Sequence, residues 1–220
     1  MTHSISLWIF NIQCIIILTA FVYSIRLLKK CEPNIMRFFV LYTFIAVSVM
    51  IPMFLHANKI MVIKFADQLN NISIVFNYNF LFFFIFFTLP DRKGYKLIFL
   101  IYFLFLLLML LTLFSKNIYS PIQRAFAINY FGLAVFSIIY LYKLFQNVPN
   151  KVITNIPTFW VVMGILISAS FGFPLIFIID YIRKIGIDFS NNLILVNLPN
   201  IGYALFYLFL IKSFKCSVIN

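Results

Sequence analysis

Read for polarity, the chain separates into seven long apolar runs divided by short charged segments. The uncharged stretches are 2–25, 38–58, 68–90, 97–115, 125–142, 152–179 and 189–211, and every Asp, Glu, Lys and Arg lies outside them. Each is at least ~18 residues, the length an α-helix needs to cross about 30 Å of hydrocarbon. The runs are apolar on all faces, so they lack the ten-residue alternation of a membrane barrel strand. The pattern predicts an all-α polytopic membrane protein, a seven-transmembrane-helix bundle in one domain over residues 1–220. Its helices are expected at about 5–25, 38–58, 68–90, 97–115, 124–143, 156–180 and 190–211. A charge at a helix centre costs roughly 2.5–3.5 kcal/mol on insertion, while each central Leu, Ile or Phe returns about 0.3–0.6 kcal/mol. The run from Leu97 to Phe114 is almost wholly Leu, Ile and Phe. The shortest, Ala125 to Tyr142, carries Asn129.

Composition sharpens the same picture. Of the 220 residues, 64% are hydrophobic and only 10% charged, with a mean hydropathy of +1.06. A soluble domain is about 45–50% apolar and about 25% charged, so lipid is the solvent that fits. The first run lacks a positive leader and a small-residue cleavage site, so it is expected to stay as a mature helix.

The net charge of +12 would suggest nucleic acid in a soluble protein. Here the cations sit in short loops, where they set orientation and meet anionic head groups, and nucleic acid is not expected as a partner. One side of the predicted bundle holds Arg26, Lys29, Lys30, Arg37, Arg92, Lys93, Lys96, Lys143, Lys151, Lys212 and Lys215. The other holds Lys59, Lys64, Lys116, Arg124, Arg183 and Lys184. The excess predicts an N-terminus outside and a C-terminus in the cytoplasm of a bacterial inner membrane. Cys14, Cys31 and Cys216 have neither metal-like spacing nor a disulfide framework, and read as free thiols.

The chemistry left inside the spans is neutral. Asn11, Gln13, His56, Asn77, Asn129, Asn197 and Asn200 are candidates for an outward-facing polar pocket, since intramembrane polar groups are functional candidates by default. The alternative is that they hydrogen-bond between helices and hold the bundle together. Asn197 and Asn200 are three apart and share a helix face, with Pro199 between them; Pro52 and Pro174 mark further expected kinks. His56 lies near the outer interface, with no second His or carboxylate at ligand spacing, so no metal and no cofactor is expected. Gly164, Ser168 and Gly172 recur every four residues in the sixth run. Small residues so spaced let backbones approach closely, either inside the bundle or against a partner.

Enzymatic readings find no support. The spans hold no paired carboxylates, no HExxH and no phosphate loop, and Asp180 stands alone at the end of the sixth run. A coupled transporter usually shows midplane acids and inverted repeats, and neither is visible.

Three stretches carry a resemblance. They are the Phe-rich third run ending Leu89-Pro90-Asp91-Arg92-Lys93, the segment Ile156-Pro157-Thr158-Phe159-Trp160, and Leu205-Phe206-Tyr207-Leu208-Phe209-Leu210-Ile211-Lys212 with Cys216 shortly after. Together they resemble a group of seven-helix membrane proteins of Bacteroidota, often encoded beside sensor kinases or response regulators. Where those relatives often carry a Glu in the third helix, this chain has Asn77 and Asn79. The resemblance implies a non-enzymatic protein acting through a membrane partner, a sensor kinase or a larger envelope complex. It would serve as a sensory input or an accessory subunit. The alternative is a small transporter or substrate-binding component.

Overall fold

The structure, a computed structural model, describes residues 2–27, 34–60, 66–90, 94–114, 121–147, 153–184 and 193–217. Cys31 and the loop cations Lys29, Lys30, Lys64, Arg92, Lys93, Lys116 and Lys151 lie outside the described residues, as do the side chains of Asp180, Arg183 and Lys184. Seven α-helices account for nearly all of the rest: α1 (Thr2–Leu27), α2 (Phe38–Ala57), α3 (Ala66–Thr88), α4 (Tyr95–Phe114), α5 (Pro121–Asn147), α6 (Pro157–Lys184) and α7 (Leu193–Cys216). Among the described residues there is no strand. A helix satisfies its own backbone groups, which hydrocarbon cannot do for it.

Most helices outrun the charge-free stretches. Arg26, Lys143, Lys212 and Lys215 all sit on helical turns. A terminal cation costs insertion only if its head group is dragged into hydrocarbon, and a long side chain can reach back to the interface. The true stops are local. α2 closes with Lys59 in the left-handed region at φ 57, its N–H donating to His56 O, while Ile60 N–H donates to Leu55 O at 2.9 Å. That pair of bonds is the Schellman arrangement. Gly94, at φ 77, turns the short connection into α4. Pro121 and Pro157 each open a helix at its first position, where the missing N–H would have had no partner.

The helices form a ring. α1 lies between α2 and α7, α7 packs on α6, α6 on α5, and α3 closes the circuit between α5 and α2. α4 stands outside it, on α5 and α3. Its buried side chains are Ile98, Tyr102 and Met109, while Leu97, Leu100, Phe103, Leu104, Leu107, Leu111 and Phe114 are exposed. An unbroken apolar surface of this kind needs lipid or another apolar surface against it. α3 is the opposite case, with Ile74, Tyr78, Leu81, Phe82, Phe84, Ile85 and Phe86 all buried. Among the described residues, α1, α2, α4, α5 and α6 are long and apolar enough to cross a membrane, and α3 contributes a shorter apolar stretch, Ile72–Thr88. The chain is a membrane protein built as an all-α helical bundle.

Two inter-helix zones fix the packing. At the end that carries the C-terminus, Tyr140 and Thr158 hydroxyls meet at 2.6 Å, Ser213 donates to Pro157 O at 2.7 Å, and Ser24 and Thr43 meet at 3.1 Å. In the same half, an aromatic cluster joins α2, α3, α4 and α5. Phe39 packs edge-on against Phe84 at 4.6 Å, and Phe82 stacks on Tyr102 at 4.0 Å and meets Phe136 at 4.7 Å. Such pairs add about 0.5–1.5 kcal/mol each beyond burial.

The small-residue face on α6 is consumed inside the bundle. A Cβ on Gly164 would lie 2.8 Å from Phe209 Cβ of α7, and one on Gly172 would lie 2.5 Å from the Tyr130 ring of α5. Ser168 is buried, its carbonyl 3.3 Å from where a Cβ on Gly202 would stand. The stripe therefore serves two internal neighbours, and its residues are not presented to an outside partner.

Candidate ligand cavity

One end of the bundle is not filled. A cavity of about 360 Å³ opens among α1, α2, α3, α5 and α7, within the roughly 300–1,000 Å³ typical of small-molecule sites. Its walls come mainly from the first halves of α1, α3, α5 and α7 and the second half of α2, reaching the helix midpoints at Ile17, Ala46 and Tyr207. Antiparallel alternation brings these segments to the same end, the one that carries the N-terminus. Phe10, Ile17, Met50, Met53 and Phe126 form much of the apolar wall. Gln13, Ser73, Asn77, Tyr130, Asn200, Tyr203 and Tyr207 supply polar groups, and no Asp, Glu, Lys, Arg or His joins them among the described residues.

The floor is aromatic and closed. Tyr42, fully buried, donates to Asn77 Oδ1 at 2.6 Å and packs against Phe80 at 4.8 Å and Phe206 at 6.0 Å. Tyr207 lies beside it, ring centroids 6.4 Å apart, with Tyr203 another 5.3 Å along α7. The buried Tyr207 hydroxyl has the Tyr42 and Tyr203 hydroxyls close by, neither in hydrogen-bonding geometry. Beneath them lies the Phe39, Phe84, Phe82 and Phe136 cluster already described.

Of the expected pocket residues, Gln13, Asn77 and Asn200 do line this cavity. Asn11, His56, Asn129 and Asn197 do not, and for these the expected convergence is corrected. Asn11 accepts from Asn58 Nδ2 at 3.2 Å, tying α1 to α2. It stands two residues from Gln13, roughly 200° around the helix, so the two cannot share a face. His56 is exposed on the outer surface. Asn197 is buried and donates to Ser6 Oγ at 2.9 Å, a bond between α1 and α7. Asn129 is fully buried, next to cavity-lining Tyr130 but turned a further ~100° around α5. Neither atom of its amide has a hydrogen-bond partner. Asn79 follows the same geometry: two residues from Asn77, it faces α4, where it accepts from the Tyr102 hydroxyl and donates to Val75 O.

The tyrosines and Ser73 were not singled out from sequence. A tyrosine within an apolar run looks the same whether it faces a cavity or a core. One signal was present: Asn200, Tyr203 and Tyr207 are spaced three and four apart, which sets three polar tips on one face of α7. Cys14 and Cys216 are free thiols, the first buried.

No family model, curated protein or solved structure matches this chain.

Proposed function

We propose that the chain spans the bacterial inner membrane seven times, N-terminus outside, and binds a small molecule in its outer half as the input of a partner protein. One observation carries this reading. The polar cavity ends on a dense aromatic floor, so a molecule admitted from one side meets no polar path to the other. That favours reception over transport. The neutral lining, with no nucleophile and base placed together among the described residues, favours a non-enzymatic role.

Residues at the two ends support full spanning. Trp8 and Tyr181 are exposed near one end, and Tyr95 and Tyr142 near the other, where Lys212 also sits over the Trp160 ring at 5.5 Å. Aromatics and cations at such levels are the usual anchors at membrane–water boundaries. The resemblance to seven-helix proteins of Bacteroidota encoded beside sensor kinases supports a membrane partner, either a kinase or a larger envelope complex.

Two measurements test this. A reporter active only in the cytoplasm should work when fused after Asn220 and fail when fused before Met1; the reverse would move the cavity to the cytoplasmic leaflet. Purification in mild detergent after in-cell cross-linking should bring down one membrane protein in constant ratio. A histidine kinase would mark a sensory input, an envelope assembly an accessory subunit. Isolation alone would favour the small-transporter reading.

A further inference from the structure

The chemistry of the cavity restricts what can enter it. Charge is disfavoured first. Among the described residues every polar lining group is a neutral amide or hydroxyl, and an ion placed against them would lose its hydration with no counter-charge from them to replace it. The wall is mostly carbon, and Met50 and Met53 add flexible, polarizable surface that adapts to an apolar body.

The second restriction is directional. Gln13 is more than nine-tenths buried and lines the cavity, and its Oε1 has no hydrogen-bond partner. A buried acceptor left in this condition is costly, and a donor that reaches it recovers that loss. Tyr42, the hydroxyl nearest the floor, is committed to Asn77. Oε1 itself has almost no exposed surface, so the terminal amide must turn about its broad last torsion to meet a donor held in the cavity.

We infer that the cavity is a binding site for an uncharged, largely apolar small molecule that donates an O–H or N–H to Gln13 Oε1, a phenol, alcohol or amide with a hydrocarbon or aromatic body. This rests on the reading of the cavity as a ligand site and narrows it to one chemical class. Such a molecule also partitions into lipid, so it can arrive from the membrane or from water.

The test uses the full chain in lipid nanodiscs and three photoreactive probes that share one alkyl-diazirine body. One is a phenol, one its methyl ether, and one the corresponding benzoate. Labelled residues are mapped by mass spectrometry, with and without excess unlabelled 4-propylphenol. The phenol is expected to label cavity-lining segments of α1, α3 or α7 competably. The ether, which lacks the donor, and the benzoate, which is charged, are expected to label about tenfold less or weaker still. Gln13→Leu should bring the phenol down to the level of the ether. Because the probe comparison is made on the unaltered chain, it decides the matter even if that variant folds poorly. Equal competable labelling by the ether or the benzoate would overturn the ligand class while leaving a binding cavity. Failure of all three to label the cavity competably would overturn both.

Discussion

Replacing Gly164 with Leu is expected to destabilise the bundle by about 1–3 kcal/mol, the usual penalty for forcing extra carbon into a packed interior. The prediction follows from what stands opposite. The first added carbon would already sit 2.8 Å from Phe209 Cβ and 3.3 Å from the Phe206 carbonyl oxygen. Both atoms belong to or adjoin the α7 backbone, so a rotamer change cannot clear them and α7 itself must move. Helices in lipid gain little from hydrophobicity against each other and depend on close approach. The α6–α7 contact, the most extensive in the bundle, would lose that approach. Gly164→Ala should show a smaller loss of the same sign. Gly172→Leu should combine instability with a change at the cavity, because the atoms it displaces are those of the Tyr130 ring, which lines it. Thermal unfolding in mild detergent checks the first effect and probe labelling the second. Wild-type melting of Gly164→Leu together with loss of a co-purifying protein would mean that the stripe is a partner interface after all.

Asn129→Leu should act in the opposite direction and raise stability by about 1–3 kcal/mol. Few substitutions at a fully buried position in a helical bundle are expected to help, but Asn129 has both amide atoms unpartnered and no exposure. Burying an unsatisfied polar group costs about 1–3 kcal/mol, and an apolar side chain of similar shape removes that cost. Asn129 also does not line the cavity, so ligand labelling should be unchanged. Reversible unfolding of the purified variant measures the effect. A loss of stability would mean that the amide holds a polar partner, water or ligand, in the working protein.

The helical architecture was legible in the pattern of apolar and charged residues, for a simple reason. Hydrocarbon gives backbone groups no partner, so an apolar run of this length has to be helical, and charge is expelled from its centre at a cost of kilocalories per residue. α2 and α4 begin and end within about two residues of expectation. The ends of α5, α6 and α7 ran past it, because a cation at an interface can stay charged on a helical turn. Lys143, Lys212 and Lys215 mark the loss of apolar environment, whereas Pro121 and Pro157 mark where helices begin.

The candidate site was legible only in part. Gln13, Asn77 and Asn200 could be picked out as polar groups in apolar runs, but nothing in the pattern separated them from Asn11, Asn79, Asn129 and Asn197. A helix that is apolar all round has no polar face to turn toward water and therefore no signal of its own rotation. That rotation was decided by large side chains finding neighbours: Tyr102 over Asn79, Tyr42 under Asn77, Phe209 against Gly164. Two residues of separation then became opposite sides of a helix. The same packing put α3 inside the ring and α4 outside it. What the sequence by itself determined was that seven helices would form and where their apolar lengths lie. Which faces meet, and the unfilled space they leave around Gln13, was decided by the fit of side chains across helices far apart in the chain, which no local pattern records.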